Sequence, residues 1–410
     1  MTPFRIVFTA LAPFAAGNFL SYLLRAVNAV VAPDLVADAG LSPAELGLLT
    51  AAYLGAFALF QLPLGVLLDR YGPRRVQAGL LCVAAAGCLG FAAAPGFIGL
   101  FSARALIGLG FSAGLMASYK SSATWVPIER RSLANTAIMS VGALGVVVAT
   151  EPTEFLVGLI GWRATFAVFA GLILAAALLI LAVAPRQDTV GAPAPFRLQF
   201  GELMAIIRRP LFWRLAPLLG LTSGVQIGIQ TLWAGPWFRD VMGLTRDEVA
   251  RHLLWMAISF MAGILSVGVI ADRLGRRGIG PMQVMLGFNL LYFAAQAVII
   301  LRIDGLMLPA WLAVAAFGQV AILAFPWFAA HIGKDLAGRS NATINFAMFI
   351  AAFGSQYAVG LIIGLFPHTA TGYDPRGYSW AIGVFLALQL LAFAWYLLAP
   401  AQAAKETANA

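Results

Sequence analysis

The chain has 410 residues, of which 61% are hydrophobic and only 10% are charged. So few charges cannot cover a soluble domain of this length, which excludes a water-soluble enzyme, and the net charge of +9 has to be explained by where the cations fall. A membrane-spanning helix takes roughly 20 apolar residues, and helices are the expected form because lipid cannot satisfy an open backbone. The alternating strands of a transmembrane barrel are absent. We therefore expect an all-α integral membrane protein with twelve spans. The first six lie at 8–32, 44–66, 76–95, 97–121, 133–156 and 162–184. The second six lie at 211–237, 248–270, 282–301, 309–331, 341–366 and 379–399. They form two six-helix bundles, 1–184 and 211–410, and residues 185–210 are a Pro- and Gly-containing linker in which 196–209 can form a surface helix. With both termini inside, seventeen Lys and Arg fall on the cytoplasmic side and six outside. This positive-inside bias sets the orientation and argues against nucleic acid as the partner of the positive charge.

In chain order, the first span carries Asn18, Ser21, Tyr22, Arg25 and Asn28 in one sector. An ionisable group inside a span is costly and marks a cavity or a partner, so Arg25 with Tyr22 and Asn28 are candidate ligand contacts. The alternative is outward snorkelling of Arg25. Cys82 and Cys88 share a span and form neither a disulfide framework nor a zinc pattern. The fourth span carries Arg104 and Lys120, sixteen residues apart and on opposite sides. Lys120, with Ala113 and Ala117 on its face, is a candidate substrate contact or an interfacial lysine. Glu151 and Glu154 bracket Pro152 on one face of the fifth span and are candidate proton carriers; hydrated acids at a rim are the alternative. The seventh span places Thr222, Gln226, Gln230, Trp233 and Trp237 in one sector. Gln226 and Gln230 can donate and accept and Trp233 offers a wall, or else the stripe packs against other helices. His252 and Met256 stand one turn apart and admit a weak copper(I) reading. Gln319, Asn341, Asn345 and Gln356 add polar groups to the tenth and eleventh spans.

Two segments repeat. GVLLDRYGPR from Gly65 returns as GVIADRLGRR from Gly268, 203 residues later, each between two apolar runs. Arg131-Ser132-Leu133-Ala134 similarly returns as Arg339-Ser340-Asn341-Ala342, with Ser132 and Ser340 as expected N-caps. Arg104 with Gly108 and Gly110 makes an R-x-x-x-G-x-G pattern, and Gly161-Trp162-Arg163 opens the sixth span. In these features the chain resembles the major facilitator superfamily over nearly its whole length. The resemblance implies two rocking bundles with a cavity lined by helices 1, 4, 7 and 10. It implies that Asp69, Arg70 and Arg74, with Asp272 and Arg273 in the second copy, close the cytoplasmic side, Asp69 facing the start of helix 11. It also implies that Arg104 acts in conformational change or proton coupling.

The function expected from these residues is secondary transport of a small solute across a bacterial inner membrane. The solute is an organic carboxylate met by Arg25 and Lys120 and oriented by Gln226 and Gln230, with protons as the coupling ion, no cofactor, and a monomer in the lipid bilayer. A drug or metabolite exporter, a copper importer and a non-transporting sensor are the alternatives. The fifth span has SVGALGVVVATEP in place of the Gly-Pro run of many exporters.

Overall fold

The structure, a computed structural model, describes residues 7–186, 196–333, 336–367 and 372–399. Nine helices among them are long and apolar enough to cross a membrane, and a bent pair at the N-terminus makes a tenth. Two of these helices fold back at a glycine. Pro43–Ala93 divides at Gly72 (φ 74°, ψ 158°) and Glu151–Val183 at Gly161 (φ 78°, ψ 159°). Both glycines are in the left-handed half of backbone space, where a side chain is strained, so a single residue reverses the chain.

Divided there, the first compact unit, Met1–Phe196, holds α1 to α6. Helix α1 is Phe8–Ala26 with Asn28–Ala39, bent by 48°. Helices α2 and α3 are residues 43–71 and 73–93, and α4 is Phe97–Trp125. Helix α5 is Ile128–Val148 continued by 151–160, and α6 is 162–183. The second unit, Arg197–Ala410, holds α7 (Pro210–Met242), α8 (Arg246–Gly275), α9 (Pro281–Leu301), α10 (Met307–Ile332), α11 (Ala337–Ile363) and α12 (Pro375–Leu398). The surface helix expected at 196–209 is Phe196–Ile207. The linker residues 187–195 lie outside the described residues.

Several boundaries differ from expectation. Helix α1 runs to Ala39 rather than 32, because a break at Val27 re-aims it before the chain leaves the apolar layer. Ser132 and Ser340 are not N-caps. Helix α5 starts at Ile128 after Pro127, and α11 at Ala337 after Leu336. Ser340 instead donates to the Leu336 carbonyl one turn back, at 2.9 Å, the alternative bond such hydroxyls make inside helices. The two copies of the repeated loop also turn differently. The first reverses at Gly72, whereas in the second the helix continues through Gly275 and the positive φ falls on Gly278.

Five helices are interrupted along their length, α5 at Ala149–Thr150 and four others midway. Helix α1 breaks at Val27, α4 at Ser112–Ala113, and α10 at Gly318–Gln319 before a 3₁₀ turn, Val320–Leu323. Helix α7 contains two π-helical turns, Gly220–Gly224 and Ile229–Trp233. A carbonyl that leaves the helical ladder in an apolar layer needs another donor. Side chains from neighbouring helices supply it. Arg104 donates to Leu24 O at 3.0 Å, Gln61 to Ser112 O at 3.0 Å, Ser223 to Gly318 O at 3.0 Å, and Gln356 to Gly228 O at 3.1 Å. Small residues allow the close approach that membrane helices use in place of a hydrophobic drive. A Cβ on Gly108 would sit 2.1 Å from the Tyr53 carbonyl of α2.

Candidate functional site

In the first unit the polar groups gather around the α1 break. The Arg25 guanidinium lies over three rings, Tyr22 at 4.8 Å, Phe57 at 5.1 Å and Tyr53 at 6.0 Å. Aromatic faces attract a cation through their quadrupole. Asn28 donates to Thr50 Oγ1 at 2.9 Å, so α1 and α2 are tied just past the break. Tyr53, which sequence reasoning missed, shares a hydrogen bond with Ser21 at 3.1 Å and also lies under Arg104 at 5.3 Å. Its signal was weak because it sits in an apolar run on α2. Arg104 is fully buried, and its Nε and Nη2 have no hydrogen-bond partner.

Lys120 requires a correction. Offered as a substrate contact, its Nζ instead lies 2.5 Å from Asp69 Oδ1, at the end of α2. Lys120 is thus paired with an acid, and a substrate candidate and a gating candidate form one contact. The α2–α3 fold at Gly72 explains this, since it brings the repeated loop under α4. Nearby, Arg74 donates to the Leu181 carbonyl of α6 and Arg70 lies over Tyr71 at 5.3 Å. In the second copy Asp272 pairs with Arg276 at 2.8 Å, both exposed, and Arg273 is exposed. The acids on α5 are unequal: Glu154 is buried and Glu151 exposed.

In the second unit the glutamines form a chain between the irregular parts of α7 and α10. Gln319 donates to Gln226 Oε1 at 2.6 Å, and Gln226 donates to Gln230 Oε1. One end of this chain keeps an amide N–H₂ and the other a carbonyl oxygen, so it can meet both an acceptor and a hydroxyl. Trp233 does not present an open wall. It is buried, and its indole donates to the Gln356 carbonyl at 2.9 Å. Trp237 is likewise buried, against Trp311 at 5.2 Å. His252 Nδ1 lies 2.7 Å from the Glu248 carbonyl, and the ring packs on Phe238. Among the described residues no group of three or more His, Cys, Asp or Glu could hold a metal.

Residues 14–355 match the family profile of the Major Facilitator Superfamily. The chain belongs to the Major Facilitator Superfamily. Three relatives match over most of their length. The hexuronate transporter of Escherichia coli (strain K12) is 25% identical over 379 residues, 88% of this chain and 87% of that one. The probable galactarate/D-glucarate transporter of the same strain is 22% identical over 386 residues, 83% of each chain. The chloramphenicol resistance protein of Streptomyces lividans is 27% identical over 368 residues, 88% of each. In fold the chain resembles a bacterial homologue of the human lysosomal transporter Spinster in its inward-facing, unoccupied form. The TM-score is 0.76 at 17% identity, covering 99% of this chain and 98% of that one. This superfamily member is thus a multi-pass membrane transporter and not an enzyme.

Proposed function

We propose that this transporter moves a small organic anion, a hydroxylated carboxylate, by alternating access with coupling to protons. One observation carries the reading. Helices α1, α4, α7 and α10, two per unit, are each irregular midway, and the breaks in α1, α7 and α10 stand beside Arg25, Asn28, Gln226, Gln230 and Gln319. Interrupted helices at mid-membrane are how secondary transporters build solute sites, and π-turns recur at functional sites. Arg25 supplies the charge, with Tyr22 beneath it. The glutamine chain supplies donors and acceptors for hydroxyl groups. The relatives that move hexuronate and galactarate/D-glucarate carry solutes of this chemistry.

Asp69, Arg70, Arg74, Arg104, Asp272 and Arg273 are assigned to conformational change, and Glu154 with Glu151 to the proton. Lys120 joins the substrate set only when Asp69 releases it. We place the protein in a bacterial inner membrane with both termini in the cytoplasm, from the distribution of Lys and Arg. Export of a neutral drug is the second reading, favoured by the relative named for chloramphenicol resistance. Uptake and efflux of D-glucuronate, D-glucarate and chloramphenicol in proteoliposomes separate the two. The carboxylates should move, and Arg25→Gln should raise their KM about tenfold or more, since a charge-assisted bond is lost. Transport of chloramphenicol alone, indifferent to Arg25→Gln, would overturn the anion assignment.

A further inference from the structure

The Asp240 carboxylate, in the last turn of α7, is the most completely surrounded acid described in the second unit. Its side chain is 1% exposed. One oxygen accepts from Arg239 Nε at 2.6 Å. The other accepts from Arg239 Nη2 at 3.2 Å, the Tyr373 backbone N–H at 3.1 Å and the Tyr378 hydroxyl at 2.7 Å. The cradle admits nothing larger, because a Cβ on Gly372 would lie 2.2 Å from the carboxylate.

The two tyrosines held here close on Trp233, each with its ring 6.5 Å away and edge-on. Trp233 donates to the Gln356 carbonyl. The Gln356 amide in turn donates to Gly228 O and to Thr231 Oγ1, both at 3.1 Å. Those two acceptors flank Gln230, in the π-helical turn Ile229–Trp233. A π-turn is a strained, rarely populated geometry that persists only where its surroundings over-determine it. The contacts running from Asp240 through Tyr378, Trp233 and Gln356 are such surroundings.

The first unit carries a counterpart. Asp38, in the last turn of α1 and 202 residues before Asp240, accepts from the Trp162 indole at the start of α6 at 2.9 Å. Arg163 Nε lies 3.4 Å away. Each unit thus joins the end of its first helix to the start of its sixth through a carboxylate and an aromatic donor. Only the second is buried: Asp38 is 49% exposed, and α1 has no π-turn beyond its first residues.

We propose that Asp240 is a positioning residue for substrate binding, fixing the π-helical turn that presents Gln230. The inference rests on the reading that Gln230 meets the solute. The test is uptake of D-glucuronate and D-glucarate by purified protein in liposomes, with KM and maximal rate measured separately. Asp240→Asn and Tyr378→Phe should each raise KM about tenfold, as loss of a hydrogen bond to a charge does, with the maximal rate within about twofold. Asp38→Asn should leave KM unchanged. In a Gln230→Ala background Asp240→Asn should raise KM no further, because coupled positions are not additive; a merely structural role would give independent effects. If Asp240→Asn does not fold, Tyr378→Phe carries the same test. Should Gln230→Ala raise KM while Asp240→Asn and Tyr378→Phe do not, or should the effects multiply, this inference alone is overturned. An unchanged KM in Gln230→Ala, or no uptake of either solute by the wild type, overturns the site reading and this inference with it.

Discussion

The Lys120–Asp69 contact joins a span to the repeated loop, and its two side chains are 32% and 54% exposed. An ion pair so open to solvent contributes at most about 1 kcal/mol to stability. Lys120→Gln and Asp69→Asn should therefore barely move the thermal midpoint, yet both should cut transport, with the double variant no worse than either single one. Full transport in either single variant would remove the pair from the mechanism. A second residue titrates where the chain enters α12. Asp374 caps that helix, and the Arg376 side chain and backbone N–H hold its carboxyl below the ordinary value of 3.8. A carboxyl depressed in the folded state contributes stability that is complete above the unfolded value and lost as pH falls through the lower, folded one. The protection factor of the amides in the first turn of α12, the exchange rate corrected for its intrinsic dependence on pH, should thus be flat from roughly pH 5 to 7 and fall only in acid below the ordinary value. Asp374→Asn should remove the acid step. The same acid step in both proteins would show that Asp374 is not the titrating group.

At the scale of elements, the irregular helices depend on donors from their neighbours. Gln61→Leu strips the Ser112 carbonyl of its partner and should cost about 1–3 kcal/mol, the desolvation penalty of an unpaired buried group. Gly108→Ala should cost a similar amount, about 1–3 kcal/mol, because overpacking forces α2 and α4 apart. Gly171→Ala, with nothing within 4 Å of the added Cβ, is the control. Unfolding of the three in detergent, followed by tryptophan fluorescence, gives the ranking, and equal midpoints would refute it. The span positions were legible because a run of apolar residues needs no partner to declare itself. The breaks were not. Val27 and Ser112 are ordinary residues, and their backbone departs from helix only because Arg104 and Gln61, eighty and fifty-one positions from their acceptors in sequence, take up the carbonyls. The site was half legible for the same reason. Helical spacing put Gln226 and Gln230 on one face, but nothing local joined Gln319 to them. Trp233 had the right spacing and a buried role. Asp240 was passed over because an acid beside an arginine at a helix end reads as a solvated pair until Tyr373 and Tyr378 are placed on it.

For the whole molecule, the two units share a plan and differ in detail, and the differences divide the labour. The paired acids of α5 have no equivalent in α11, whose sequence holds no Asp or Glu, and only Glu154 is buried. Because a buried carboxyl is the better proton carrier, Glu154→Gln should abolish pH-driven accumulation of D-glucuronate while sparing counterflow exchange, and Glu151→Gln should weaken that accumulation without abolishing it. Accumulation that survives Glu154→Gln would assign the proton elsewhere. The joints at Gly72 and Gly161 have a consequence of another kind. One residue of connection leaves α2 and α3, or α5 and α6, little length to part, so each pair is expected to turn as a single lever. Two spectroscopic labels set across either joint will hold a constant separation through the transport cycle. They supply the protein with a built-in ruler, against which the travel of every other helix can be measured.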